Sequence, residues 1–228
     1  MLRNGGNMVK AIFMDYTGTI IQEKGADLEM IVSRIWKNSR LETAKETVRY
    51  WWNLIKMMEE KSYGDAFLTE DEIVDRLLER LGREKGLVDD FAELHKLFQR
   101  FWMYAPIFDD VKEFFEKCSL PIYVITNNGV CYVQECLEQN GLEAAGIISG
   151  EMVRAYKPHK EVFDHALKIS GCAAREVIHI GDSVVSDVNG ASAAGITPVL
   201  IDRKAEVQCT DYKVIHRLME AFKYLECI

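Results

Sequence analysis

The fold of this chain is decided by one stretch near its start, Lys10-Ala11-Ile12-Phe13-Met14-Asp15-Tyr16-Thr17-Gly18-Thr19-Ile20-Ile21. Residues 11–14 form an apolar run without a polar interruption, which is typical of a strand buried on both faces of a parallel sheet. Asp15 follows directly. A carboxylate at the end of such a strand lies at the carboxyl edge of the sheet, where open α/β folds bind ligands. An aspartate that only caps a turn would also fit this stretch, so the function depends on later parts of the sequence.

Composition indicates an ordinary globular protein. The chain has 228 residues, of which 48% are hydrophobic and 28% charged, enough for one α/β domain and a smaller insert. The formal net charge of −8 disfavours nucleic acid and anionic membranes as partners. No apolar run approaches the length of a membrane span, residues 1–7 lack the apolar core of a signal peptide, and the six cysteines form no Cys-x-x-Cys pair. We therefore expect reduced cysteines and a cytoplasmic protein.

The apolar periodicity changes twice along the chain. Residues 27–104 show apolar residues at helical spacing, and Thr43 and Thr69 each begin a capping-box pattern. The rest alternates helices with short apolar runs at 122–125, 146–148, 177–180 and 198–201, and a last edge strand near 212–214. We predict an α/β fold, with a Rossmann-like, three-layer parallel sheet core and an inserted α-helical cap domain. The core comprises residues 1–22 plus 106–228, and the cap comprises residues 23–105.

Polar residues end three of these predicted strands in a pattern suited to one phosphate site. Asp15 supplies one carboxylate, while Asp182 and Asp187, after the 177–180 run, supply two more. Clustered carboxylates need a cation to coexist, and hard oxygen ligands favour Mg²⁺. Each of these three aspartates is ambiguous when taken alone, because an aspartate after a strand can simply cap a helix.

Three further residues complete this constellation. Thr126 and Asn127 bring a hydroxyl and an amide after the 122–125 run, and Lys157 would balance the carboxylates. Alone, Thr126 or Asn127 is typical of a turn and Lys157 of a solvated surface. His179 lies inside an apolar run, and we interpret it as a core histidine. The four stretches in this order and context are much more specific than any one of them.

At these residues the sequence resembles the haloacid dehalogenase-like (HAD) superfamily, in the group with a helical C1-type cap inserted after the first motif. Residues 15–19 match the first motif, Thr126 the second, Lys157 the third, and Gly181-Asp182 through Asp187 the fourth. The resemblance implies that Asp15 is a nucleophile that forms an aspartyl-phosphate. It also implies a Mg²⁺ site formed by Asp15, Asp182 and the Thr17 backbone carbonyl, with Asp187 in support, and a phosphoryl site formed by Thr126 and Lys157.

Thr17 departs from the pattern of the typical phosphatases in this superfamily. They carry an aspartate at this position, which serves as the general acid and then as the general base. A hydroxyl is a poor proton donor near neutral pH. We therefore expect a preference for phosphates with weakly basic leaving groups, unless a residue such as Asp65 or His159 supplies the proton. Substrate specificity is expected to involve cap residues, among them Tyr63, Gly64 and Asp65.

The leading functional hypothesis is a Mg²⁺-dependent phosphohydrolase of a small phosphorylated metabolite, acting as a monomer or homodimer. Two enzymatic alternatives remain open. One is a phosphonoacetaldehyde hydrolase-like enzyme with a Schiff base on Lys56 or Lys61, and the other is a dehalogenase-like enzyme, although a dehalogenase needs no Mg²⁺. A third alternative, from another class, is a phosphate-binding protein with negligible turnover.

Overall fold

The computed structural model describes residues 8–207 and 211–225. Within them, six strands form one parallel sheet in the order β3-β2-β1-β4-β5-β6. The strands are β1 Ala11–Met14, β2 Ile122–Thr126, β3 Gly146–Ser149, β4 Val177–Gly181, β5 Thr197–Ile201 and β6 Lys213–Ile215. Each predicted strand is confirmed to within one residue at either end. The cysteines at 209 and 227 and residues 1–7 lie outside the described residues.

Four long helices separate β1 from β2, as the periodicity predicted. The α-helices are α1 Ala26–Lys37, α2 Ala44–Lys61, α3 Glu70–Lys85, α4 Phe91–Tyr104, α5 Val111–Lys117, α6 Val130–Asn140, α7 Lys160–Ser170, α8 Gly190–Ala193 and α9 Phe222–Leu225. No helix among the described residues is long and apolar enough to cross a lipid bilayer. The exact boundaries between core and cap stay a prediction.

The starts of α2 and α3 show how local sequence fixes these helices. At α3, the Thr69 hydroxyl accepts the backbone N–H of Glu72, and the Glu72 carboxylate accepts the backbone N–H of Thr69, which is a complete capping box. At α2, Thr43 accepts the backbone N–H of Glu46, but the Glu46 carboxylate accepts from the backbone of residue 42 instead. The box predicted at Thr43 is therefore only half formed, although the helix begins where expected.

The sheet is covered on both faces, which gives the three layers. Ile12 and Met14 belong to a large apolar cluster that continues into the helical block and includes residues of α4, α5 and α6. Ala11 and Phe13 point to the opposite face, where a second cluster includes residues of α7 and α8. Because alternate residues of β1 face opposite sides, this strand is buried throughout. The α/β prediction is confirmed.

The strand order places a crevice at one edge of the sheet. The chain runs outward from β1 to β3 on one side and from β4 to β6 on the other, so the order reverses between β1 and β4. In open parallel sheets, ligands bind beyond the carboxyl ends of the strands at such a reversal. The helical block leaves from the carboxyl end of β1 and therefore covers this edge.

Candidate active site

Three carboxylates meet beyond β1 and β4. The backbone N–H of Asp15, just after β1, donates to the carbonyl of Ile180 in β4 at 2.8 Å. Asp182 follows β4, and Asp187 lies in a π-helical segment, Val184–Asn189. One oxygen from each carboxylate lies within 4.8 Å of the others. The structure thus brings together the three acids that the sequence placed in one site.

Two glycines allow the carboxylates to approach the backbone this closely. Gly18 has φ +88°, and a Cβ on it would lie 2.2 Å from Oδ2 of Asp182. A Cβ on Gly181 would lie 2.2 Å from Cγ of Asp187. Any larger residue at either position would displace an acid of the cluster, which explains the glycine within the first and fourth stretches.

Lys157 is buried between two of the acids. Its Nζ donates to Oδ1 of Asp15 and to Oδ1 of Asp187, both at 2.6 Å, and its side chain is 3% exposed. Burial alone would lower the pKa of Lys157, but attraction by both carboxylates outweighs this effect and raises the pKa. Lys157 therefore stays charged. His179 is buried as predicted, and its Nε2 lies 2.9 Å from the same oxygen of Asp187. In the part of the chain that the structure describes, its Nδ1 has no hydrogen-bond partner.

When all three acids of the cluster are ionised, their negative charge exceeds the single positive charge of Lys157. Partial desolvation within the cluster, with repulsion from the neighbouring acids, raises the pKa of Asp182 to about 8, although the residue is still exposed to solvent. Burial also raises the pKa of Asp15, although Lys157 opposes this shift. Burial would likewise raise the pKa of Asp187, but Lys157 and His179 hold it below its usual range. Oδ2 of Asp15 is buried and has no hydrogen-bond partner within residues 8–207 and 211–225. Hard carboxylate donors, an orphaned oxygen and excess negative charge together fit a divalent cation such as Mg²⁺.

The two threonines of the predicted site both donate to Asn128. Oγ1 of Thr17 lies 2.9 Å from Oδ1 of Asn128, and Oγ1 of Thr126 lies 3.0 Å from the same oxygen. The backbone N–H of Asn128 donates back to Thr126 Oγ1 at 2.9 Å. Thr126 is 1% exposed, so its hydroxyl is buried within this loop. Its neighbour Asn127 accepts the backbone N–H of Lys157 at 2.8 Å through Oδ1, so this loop also fixes the lysine.

A cavity of about 490 Å³ lies above this cluster. Its floor includes Asp15, Thr17, Lys157, Asp182 and Asp187 together with Asn127 and Asn128. Its roof comes from α2, α3 and α4 and combines an aromatic and aliphatic wall with three charged side chains: Trp51, Trp52, Ile55, Lys56, Glu59, Glu70, Ile73, Val74, Phe101 and Trp102. The helical block therefore closes the site from above.

Sequence reasoning missed two glutamates of this roof. Oε1 of Glu59 accepts from Nδ2 of Asn127 at 3.1 Å. Glu70 accepts from Nδ2 of Asn128 at 2.6 Å and from the backbone N–H of Gly129 at 2.9 Å. Burial raises the pKa of Glu59 to about 7, and burial also raises the pKa of Glu70 well above its usual value. Glutamates at helix ends are usually solvated, so the sequence carried no signal for either.

Several residues singled out from the sequence lie elsewhere. Tyr63 donates to Glu161 at 2.7 Å, and its ring packs against His159 at 4.7 Å between centroids. Asp65 and Lys61 are exposed. In the described part of the chain, the side chains of Tyr63, His159, Asp65 and Lys61 do not line the cavity. The structure thus places the expected specificity segment, Tyr63 to Asp65, outside the cavity wall.

The known proteins that this chain resembles belong to one class of enzyme, the hydrolases. A family model described as haloacid dehalogenase-like hydrolase matches residues 9–195. The Bacillus subtilis (strain 168) protein named HAD-hydrolase YfnB is 28% identical over 145 residues, covering 60% of this chain and 60% of that protein. A phosphoglycolate phosphatase from Pseudomonas syringae pv. tomato is 26% identical over 86% of this chain and 70% of its own length. A phosphoserine phosphatase from Thermus thermophilus is 30% identical over 55% of this chain and 52% of its own length.

Solved structures agree on the fold. The magnesium-bound structure of YfnB from Bacillus subtilis superposes with a TM-score of 0.77 at 19% identity, covering 96% of this chain and 99% of that one. An L-2-haloacid dehalogenase from Xanthobacter autotrophicus gives a TM-score of 0.77 at 15% identity, with the same coverage. At such low identity the likeness concerns the fold alone.

Proposed function

We propose that this chain, which belongs to the haloacid dehalogenase-like hydrolase family, is a Mg²⁺-dependent phosphohydrolase that forms an aspartyl-phosphate on Asp15. One observation carries the proposal. Asp15 lies at the floor of the cavity with Oδ1 hydrogen-bonded to Lys157. Its Oδ2 is buried beside two further carboxylates and has no hydrogen-bond partner among the described residues. A carboxylate held in this way suits attack on a phosphorus atom whose oxygens require positive charge.

The residues that would hold Mg²⁺ are Asp15, Asp182 and the backbone carbonyl of Thr17, with Asp187 in support. Their carboxylate oxygens lie within 4.8 Å of one another, and Mg²⁺ commonly binds through one or two carboxylates plus substrate phosphate. The bound cation would supply positive charge to the phosphoryl oxygens as the transition state forms.

The protein groups then divide the remaining work. The Asp15 carboxylate attacks phosphorus and displaces the leaving group, which splits one difficult displacement into two easier ones. Lys157 lies beside Asp15 and would neutralise charge on the phosphoryl group. Asp187 holds Lys157 in place through its second ion pair. Asn127 and Thr126 would orient the phosphoryl group, with Thr126 acting through Asn128. The roof of α2, α3 and α4 would exclude bulk water from this step.

A small phosphate monoester is the substrate class that fits best. Two relatives are named for phosphoglycolate and phosphoserine, both small phosphate monoesters. A cavity of about 490 Å³ is suited to a ligand of that size. We further propose that the protein acts in the cytoplasm, because its described cysteines, 118, 131, 136 and 172, are all free thiols. We also propose that it acts as a monomer or homodimer.

The proposal is tested by screening phosphate monoesters, acyl phosphates and anhydrides with Mg²⁺ and with EDTA. We expect hydrolysis of at least one small ester that requires Mg²⁺. Absence of hydrolysis across the panel would contradict the proposal and favour a phosphate-binding protein with negligible turnover.

A phosphonoacetaldehyde hydrolase-like reaction is the second candidate, because Lys56 lines the cavity as a Schiff-base lysine would. Borohydride trapping with an aldehyde substrate would label Lys56 in that case. Halide release from 2-haloacids in EDTA tests the dehalogenase alternative in the same screen. Neither signal is expected if the phosphohydrolase proposal is correct.

A further inference from the structure

We propose that Glu59, in the roof of the cavity, is the general acid and then the general base of this reaction. This inference rests on the proposed phosphohydrolase function and deepens it. It assigns a proton donor to a site whose sequence carries a threonine where the typical phosphatases of the family carry an aspartate.

The need for such a group arises from the surroundings of Thr17. Its hydroxyl donates to Oδ1 of Asn128 at 2.9 Å, so its proton is already engaged. An aliphatic hydroxyl is also too weak an acid to protonate an alkoxide efficiently at neutral pH. A positioned general acid is worth roughly 10²–10⁴-fold in rate, so a replacement elsewhere in the cavity would have a large effect.

Glu59 shares one cavity and one chain of hydrogen-bonded residues with the nucleophile. It is near the carboxyl end of α2 and lines the same cavity as Asp15. Its Oε1 accepts from Nδ2 of Asn127, and Oδ1 of Asn127 accepts the backbone N–H of Lys157, whose Nζ contacts Asp15. Two residues thus connect Glu59 to the nucleophile. Oε2 of Glu59 has no hydrogen-bond partner among the described residues, which leaves it available to a leaving group.

The surroundings of Glu59 also give its carboxyl group a pKa at which it can both donate and accept a proton. Burial raises its pKa to about 7, while Asn127, Lys157 and Lys56 favour the charged form and limit the rise. Glu70 from α3 and the phenol of Tyr156 also face Glu59. An acid that is half protonated near neutral pH can serve both steps of a double displacement.

The other acids of the cavity fit this role less well. Glu70 has both oxygens engaged, by Asn128 and by the backbone of Gly129, so we interpret it as a positioning residue. Glu23 is exposed and interacts with Asp15 and Asp182 on the proposed metal side. Asp65 and His159, the donors considered from the sequence, do not line the cavity in the described residues.

In the proposed reaction, Glu59 gives a proton in the first step and takes one in the second. Asp15 attacks phosphorus, the bond from phosphorus to the leaving oxygen breaks, and that oxygen takes the proton of the Glu59 carboxyl to leave as an alcohol. Water then attacks phosphorus while the Glu59 carboxylate takes its proton. The bond from phosphorus to Asp15 breaks, giving inorganic phosphate and returning both side chains to their starting states. Alkyl phosphates thereby become good substrates, which revises the expectation drawn from Thr17 alone.

The test is a series of phosphate monoesters, from nitrophenyl to simple alkyl, measured as kcat/KM with Mg²⁺. For Glu59→Gln, we expect roughly 10²–10⁴-fold loss on alkyl esters and less than about tenfold loss on p-nitrophenyl phosphate. The basic limb near pH 7 in the wild-type profile for alkyl esters should disappear. Glu60→Gln, an exposed neighbour on the same helix, is the matched control and should resemble wild type. In Glu59→Gln, the added substitution Thr17→Asp should recover activity on alkyl esters.

The outcomes separate the two proposals. If wild type hydrolyses alkyl esters, Asp15→Asn is inactive and Glu59→Gln keeps the wild-type dependence on leaving group and pH, the role of Glu59 is overturned while the proposed function stands. Equal loss on all esters by a folded Glu59→Gln, without recovery by Thr17→Asp, would make Glu59 a structural residue and also overturn its role. If wild type hydrolyses no ester, the proposed function itself fails.

Discussion

Replacing Lys157 by methionine should destabilise the protein strongly, because it removes the only ammonium that contacts the acid cluster among the described residues. Lys157 bonds Asp15 and Asp187 at 2.6 Å, and its side chain is 3% exposed. Methionine keeps the length of the side chain but leaves both carboxylates buried without a countercharge. Breaking a buried ion pair by removing one partner costs about 3–5 kcal/mol. For a domain of this size, this predicts a fall in Tm of roughly 6–20 °C.

The assay is urea unfolding at pH 7.5, once in EDTA and once with Mg²⁺. We expect the full loss in EDTA and a smaller loss with Mg²⁺, because a cation bound to the carboxylates supplies the missing charge. Lys160→Met is the matched control. Lys160 pairs with Asp164, but its side chain is 58% exposed, so this change should leave the free energy of unfolding nearly unchanged. If the free energy of unfolding of Lys157→Met lies within about 1 kcal/mol of that of the control, the stability of the acid cluster does not depend on Lys157.

Two further predictions concern metal binding and pH. Asp182→Ala should weaken Mg²⁺ affinity and hydrolysis together, and unchanged Mg²⁺ binding by calorimetry would exclude Asp182 as a ligand. His95 lies 2.6 Å from Asp75 and 2.8 Å from Asp71. Burial would lower the pKa of His95, but these two acids outweigh burial and raise it. Its stabilisation should be complete below about pH 6.5 and lost as pH rises through the higher folded-state pKa. His95→Gln should therefore destabilise more at pH 6 than at pH 8.5, and equal losses would contradict the pairing.

Much of the site follows from the sequence because parallel strands bring their carboxyl ends to one edge. Asp15 and Asp182 follow buried strands, so their meeting depends only on β1 and β4 being neighbours. Lys157 is less constrained, since it lies in a loop. Its place was suggested by the excess of carboxylates, and the structure shows it bonded to two of them.

The residues that form the roof of the cavity could not be predicted from the sequence in the same way. Glu59 and Glu70 lie near helix ends, where charged residues are normally solvated, and their burial depends on how α2 and α3 pack over the sheet. Thr126 and Asn127 were assigned to the site from the sequence. Asn128 directly follows them, but its own position gave no independent signal. Conversely, the segment Tyr63–Asp65 has a composition typical of a binding loop, yet Tyr63 contacts Glu161 outside the cavity. Tertiary packing, rather than local pattern, decides these positions.

Hydrolysis of the best phosphate ester by wild type and by Asp15→Asn is the most direct test of the central claim. The substitution keeps the shape of the side chain and removes the attacking carboxylate, and Asp164→Asn, on an exposed helix face, serves as its control. Mg²⁺-dependent turnover should vanish in Asp15→Asn and persist in the control, with the fold of both variants intact by circular dichroism. Turnover by Asp15→Asn at the wild-type rate would show that Asp15 is not the nucleophile and would contradict the account.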